Sequence, residues 1–263
     1  MRSAEILGVR VDYADVKAVH ALIRRTVAAS ERAVVLNVNV HCLNLAHGSP
    51  SLREFLNRAP MVFCDGAGVQ LGLRLLGHGA PPRVPYNTWM WQLAPFAAEH
   101  GYRLFLLGAR PGVAQRAAQQ LQERCPGLQV AGVHDGYFDR TPGCPEEQAV
   151  IRQVNNSGAH IVVLSFGMPL QEQWLARVWP QLNANIALTG GAALDYVAGE
   201  LDMPPRWLAD HGLEWCHRLV MEPRRLWRRY LIGNPLFLTR VLRERWRQPH
   251  RDHGPTRGPH ARS

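Results

Sequence analysis

Apolar residues follow two alternating rhythms along this chain. Short runs rich in valine, isoleucine and leucine end in Gly, Asn, Asp or Ser, and after each the apolar positions fall three and four apart. The first rhythm is that of a buried strand and the second that of an amphipathic helix. Residues 6–11 read as an edge strand and residues 14–29 as a helix over one sheet face. Residues 33–40, AVVLNVNV, form a second strand, followed by a helical stretch to about Arg58. Residues 61–64 are a strand, and in the helix after it Val69, Leu73 and Leu76 share a face that Leu71 and Leu75 widen. A Gly/Pro-rich loop carrying Arg83 leads to a helix over 88–100, expected to bend at Pro95. The strand in YRLFLLG precedes a helix with Pro111 at its opening. Strands over 128–133, 160–165 and 185–189 then alternate with helices over 144–156, around Gln171, Glu172 and Trp174, and around Asp195 and Tyr196. Such a succession of β–α steps predicts an α/β fold, a doubly wound and largely parallel sheet flanked by helices.

From Pro204 the pattern changes. Residues 203–263 hold 13 arginines against five acidic residues, nearly all of the chain's net charge of +9, and four of its eight tryptophans. Trp207, Trp215, Trp227, Tyr230 and Trp246 interleave with Arg218, Arg224, Arg225, Arg228 and Arg229, as in helices that lie on a membrane interface. This divides the chain into a core over 1–202, a basic, Arg/Trp-rich helical appendage over 203–247 that docks on an anionic membrane surface, and a disordered tail over 248–263. Nucleic-acid binding and plain helix packing are the weaker readings of the same segment. No stretch approaches the roughly 20 apolar residues that span a bilayer, and the amino terminus is not a signal peptide. The five cysteines include no C-x-x-C pair, which suits reduced thiols rather than a disulfide framework or a zinc site. The expected location is therefore cytoplasmic, peripheral on the membrane.

Candidate chemistry gathers at strand ends, where open α/β sheets bind ligands. Asp65 stands between a buried strand and a helix, a position for a general base; local sequence favours the simpler role of capping that helix. Asn37 and Asn39 alternate at the end of their strand, so both can point into one cleft or both can bond loop backbone. Arg83 can pair with a phosphate or carboxylate, though an exposed arginine is the default. The glycine turn Gly108-Ala109-Arg110-Pro111-Gly112 opens a helix, and Gly190-Gly191 opens another, both suited to phosphate. Neither matches G-x-G-x-x-G or a P-loop, so NAD binding and ATP hydrolysis are poorly supported. No D-x-D triplet occurs and no His/carboxylate set has metal-ligand spacing, so no metal or cofactor is expected.

CDGAGVQLGLRLLG with the later RVP, FLLGARPGVA, VHDGYF, SFGMPLQEQWL, TGGAALDYVAGELDMPPRW and GLEWCHRLVMEPRRLWRRYLIGNPLFL together resemble the WecG/TagA/CpsF family of bacterial glycosyltransferases, over nearly all of residues 5–246. The resemblance implies a Rossmann-like core and a metal-independent, inverting transfer from a UDP-sugar to a polyprenyl-diphosphate-linked sugar. It implies Asp65 as base, Asn39 and Arg83 as substrate ligands, Gln171 as the glutamine of the P-x-Q-E turn, and Arg218, Arg224 and Arg228 among the phosphate-binding arginines of the appendage. Two departures lie where sugar identity would be read: Asn37-Val38-Asn39 in place of T-x-N, and Tyr86-Asn87-Thr88 after RVP. They turn the expected donor towards glucose, in exopolysaccharide assembly, as in the xanthan-type GumM glucosyltransferase; UDP-N-acetylmannosamine is the alternative. A homo-oligomer is compatible with the sequence. The rival classes are a basic nucleic-acid-binding protein and a nucleotide-dependent oxidoreductase.

Overall fold

A computed structural model describes residues 1–247, so the expectation for the tail over 248–263 lies outside the described residues. The first strand expected is instead a hairpin. β1 (Ser3–Ile6) and β2 (Val9–Asp12) pair antiparallel around Leu7 and Gly8, both at positive φ (52° and 78°). Two left-handed central residues make the turn whose twist matches that of the flanking strands. The remaining strands are β3 (Ala33–Val38), β4 (Met61–Cys64), β5 (Arg103–Gly108), β6 (Gln129–His134), β7 (Ile161–Ser165) and β8 (Ile186–Thr189). The sheet has eight strands in the order β1-β2-β4-β3-β8-β7-β5-β6, parallel throughout from β2 onward.

Strand side chains alternate between faces, and the two faces carry separate cores. Val34, Leu36, Val38, Phe105 and Leu107 point to one, and Val35, Leu104, Leu106, Val163 and Leu188 to the other. The first face is covered by α2 (Val40–Gly48), α3 (Pro50–Arg58), α4 (Ala67–Leu75), α7 (Pro145–Ser157) and α8 (Leu170–Val178). The second is covered by α1 (Val16–Ala28), α5 (Tyr86–Glu99), α6 (Val113–Arg124) and α9 (Ala193–Val197). The single helical stretch expected after β3 is two helices. Ser49 caps α3 through its side chain and Pro50 takes the first helical position, where its missing N–H costs nothing. Pro111 sits just ahead of α6 rather than in it, because left-handed Gly112 (φ 80°) is the cap.

The carboxy-terminal segment divides in two. Helices α10 (Arg206–Asp210), α11 (Glu214–Met221) and α12 (Pro223–Trp227), with a π-turn over Arg228–Ile232, arch over the carboxyl ends of the strands. The last helix, α13 (Gly233–Arg247), belongs to the core: Phe237 and Val241 are 1% and 0% exposed within the first-face cluster. Gly72 of α4 makes room for it, since a Cβ there would lie 2.7 Å from both Ile6 Cδ1 and Phe237 Cζ.

Candidate active site

Winding reverses between β3 and β8, and there the strand ends open into a cavity of about 1080 Å³ that the arch roofs. Asp65 lies on its floor, half-buried. The carboxylate does not cap the following helix, whose N-cap is Gly66 with no side-chain bond. It accepts instead from Asn37 Nδ2 at 3.2 Å and from the Tyr86 backbone N–H at 3.4 Å. Burial pushes its pKa up, against the Asn39 amide and the Tyr86 N–H, which favour the ionised form. A carboxylate in a cavity, held by asparagine and backbone donors, is placed to act as a general base.

The two asparagines play different parts. Asn37 is 3% exposed and bridges, donating to Asp65 and accepting from Thr189 Oγ1 at 3.2 Å. Asn39 caps α2, its Oδ1 accepting from the Cys42 N–H at 3.0 Å. Both line the cavity, as does Asn87, whose Oδ1 is buried without a partner among the described residues. An orphaned acceptor beside a base suits a donor from a bound sugar.

Positive charge comes from the roof. Arg218, Arg225 and Arg229 line the cavity, and the Nε of Arg218 and of Arg229 is buried with no partner among the described residues. Glu222 pairs with Arg225 and lies 3.6 Å from Arg218. Arg110 and Arg140 add two guanidiniums from the ends of β5 and β6, and Arg140 lies over the Phe138 and Phe166 rings. Asp195 faces the same space; burial raises its pKa, against the pull of Arg225 and Arg110. Among the described residues no three His, Cys, Asp or Glu side chains converge as a metal site. Cationic side chains ringed around a carboxylate can neutralise a diphosphate as it departs.

Other residues singled out by the sequence sit elsewhere. Arg224 and Arg228 are exposed on the outer side of the arch; Arg225 and Arg229, one position along, face in. The signal was present: positions 218, 222, 225 and 229 follow helical spacing and mark one face. Arg83 does not line the cavity; its guanidinium donates to Glu214 Oε2 at 2.9 Å and to the Ala209 carbonyl at 3.0 Å. Gln171 is fully buried, accepting the Gly191 N–H at 3.0 Å and donating to Glu172 at 2.7 Å. It thereby shapes the Gly190-Gly191 turn from beneath, together with Ser165, whose hydroxyl donates to the Gly191 carbonyl at 2.7 Å. Gly190 and Gly191 line the cavity, but the Gly191 N–H is already used. Gly108 and Gly112 do not line it. The first lets β5 pass β7, where a Cβ would lie 2.5 Å from the Ser165 backbone, and the second is the left-handed cap of α6.

Residues 4–251 match the profile of the glycosyl transferase WecG/TagA/CpsF family. Relatives from Staphylococcus aureus strains MW2, NCTC 8325 and COL are 25% identical over 209 residues, covering 80% of this chain and 79% of theirs. Each of them bears the name N-acetylglucosaminyldiphosphoundecaprenol N-acetyl-beta-D-mannosaminyltransferase.

Proposed function

Because the chain belongs to the WecG/TagA/CpsF family of glycosyltransferases, we propose that it moves a hexosyl unit from a UDP-sugar to a sugar carried on polyprenyl diphosphate, inverting the anomeric carbon. Asp65 removes the proton from an acceptor hydroxyl, the freed oxygen attacks the anomeric carbon, and the bond to the diphosphate breaks. Negative charge growing on the departing UDP is met by Arg218, Arg225 and Arg229, which line the cavity from its roof. These groups stand ready before charge develops, so they cost no reorganisation during reaction. The apolar wall formed by Val40, Leu71, Leu226, Phe237 and Leu238 suits the start of a lipid chain.

The relatives are named for N-acetylmannosamine transfer onto a lipid-linked N-acetylglucosamine, which supports UDP-N-acetylmannosamine as the donor. That reading replaces glucose as the first choice. Glucose stays the second, because Asn37 and Asn87, two of the departures that pointed to it, do line the cavity beside Asp65. The product is a lipid-linked glycan of surface polysaccharide assembly. The observation that carries the reading is the half-buried carboxylate on the floor of a cavity that Arg218, Arg225 and Arg229 line from above. Incubation with UDP-N-acetylmannosamine or UDP-glucose and a polyprenyl-diphosphate-linked N-acetylglucosamine is expected to give transfer, with the first donor preferred. Asp65→Asn is expected to lower turnover ~10²-fold or more with the fold intact. Near-parent turnover of that variant rejects the base.

A further inference from the structure

Helix α11 reaches over the cavity with α10 beside it, and neither has a fully buried residue among its own. Apolar burial, the usual force that seats a helix, is therefore only partial here. Among the described residues, the only hydrogen bonds that join residues 1–202 to residues 206–222 are the two from Arg83. They leave in a fork, one to the Glu214 carboxylate at the start of α11 and one to the last turn of α10 at Ala209. Both charged side chains are about one-fifth exposed, 19% and 21%, a setting in which a charge-assisted bond is stronger than at an open surface. A lysine ammonium lacks the planar fork that aims one N–H at each acceptor.

The same segment holds the base. The Val84 N–H donates to the Cys64 carbonyl at 2.8 Å, a parallel bridge pairs Cys64 with Arg83, and the Tyr86 N–H donates to Asp65. Three residues after the fork, the backbone is thus bonded to the carboxylate on the cavity floor. Glu214 itself lines the cavity, so Arg83 also neutralises an acidic group that faces the diphosphate site.

We propose that Arg83 is a positioning residue, a latch that seats α10 and α11 over the cavity and, through the backbone of residues 83–86, ties the closed arch to Asp65. The catalytic half of this statement rests on the glycosyltransferase reading with Asp65 as base; the latch itself does not. Arg83 acts through Glu214 and the Asp65 loop and touches no substrate.

Hydrogen exchange and transfer assays on the full chain separate the two halves, using Arg83→Ala, Glu214→Ala and the double variant. Exchange over residues 206–221 is expected to rise roughly tenfold or more in either single variant, with the strands unchanged, and no further in the double. Turnover is expected to fall by similar factors in the two singles and not to multiply in the double, the mark of residues acting as one unit. Unchanged exchange in Arg83→Ala overturns the latch. So does a loss of ~10² in Arg83→Ala with parent turnover in Glu214→Ala, which would make Arg83 a substrate ligand. If the parent turns over no sugar donor at all, the reaction reading fails, and exchange alone still decides the latch.

Discussion

Glu172 lies under the cavity, 1% exposed, with Oε1 bonded to Gln171 and Oε2 bonded to nothing among the described residues. Burial pushes its pKa up from 4.5 to about 7, against the Gln171 amide, which favours the charged form. A carboxyl raised on folding stabilises the protein fully below its unfolded pKa and loses that contribution as pH climbs through the folded value. Between pH 4.5 and pH values above 7 this one group withdraws about 3 kcal/mol. Glu172→Gln is therefore expected to melt higher than the parent at pH 8 and close to it at pH 5. Thermal unfolding across that range checks this, and a difference independent of pH would place the perturbation elsewhere. The neighbouring Asp65 shows why single residues were only half legible. Asp-Gly before a helix reads as a cap in any short window. The partners that claimed the carboxylate, Asn37 and Tyr86, are 28 and 21 positions away; the parallel pairing of β3 with β4 brings in the first and the bridge between Cys64 and Arg83 the second.

At the scale of elements, composition and packing draw different boundaries. The shift in charge near residue 203 suggested one appendage, whereas burial separates an arch over 206–232 from a core helix, α13. Polar ties agree: Asn44 Nδ2 donates to the Gly233 carbonyl at 2.7 Å, Arg240 donates back to Asn44, and Glu244 accepts the Leu7 N–H at 2.9 Å. Emptying the pocket that Gly72 opens is expected to be costly. Phe237→Ala should lose about 3–5 kcal/mol, the usual range for deleting a buried phenyl ring. Urea denaturation of the full chain measures it, and a loss below about 1 kcal/mol would mean that α13 is dispensable to the core. By the same argument a chain ending at residue 202 loses both Phe237 and Val241 from its interior and should unfold at lower denaturant than the full chain. The central strands β3, β4, β7 and β8, by contrast, were plain from sequence, because fully buried parallel strands read as nearly unbroken apolar runs.

Across the whole molecule the basic segment works on two sides. Arg218, Arg225 and Arg229 face the cavity, while Arg224 and Arg228 stand outside among exposed Trp227, Leu231 and Ile232. No helix among the described residues is long and apolar enough to cross a membrane. We propose that the outer side rests on anionic lipid, which places the cavity mouth at the surface that holds the acceptor. Bound phosphatidylglycerol vesicles should pellet the full chain at low salt and release it as salt rises. The paired substitution Arg224→Glu and Arg228→Glu should abolish pelleting while leaving the thermal shift induced by UDP unchanged. Pelleting that survives this change would reject the outer side as the docking face.

The order of strands and helices, the α/β class, the carboxylate at a strand end and the change of character near residue 203 were all determined by the sequence. Each is a local property: a period of apolar residues, a turn dipeptide, a density of charge. Which arginine turns inward, whether Asn37 or Asn39 braces the base, and that Arg83 holds the arch while Gln171 shapes a glycine turn were decided only by tertiary structure. Those choices depend on partners brought together by sheet order, and distance along the chain carries no record of them.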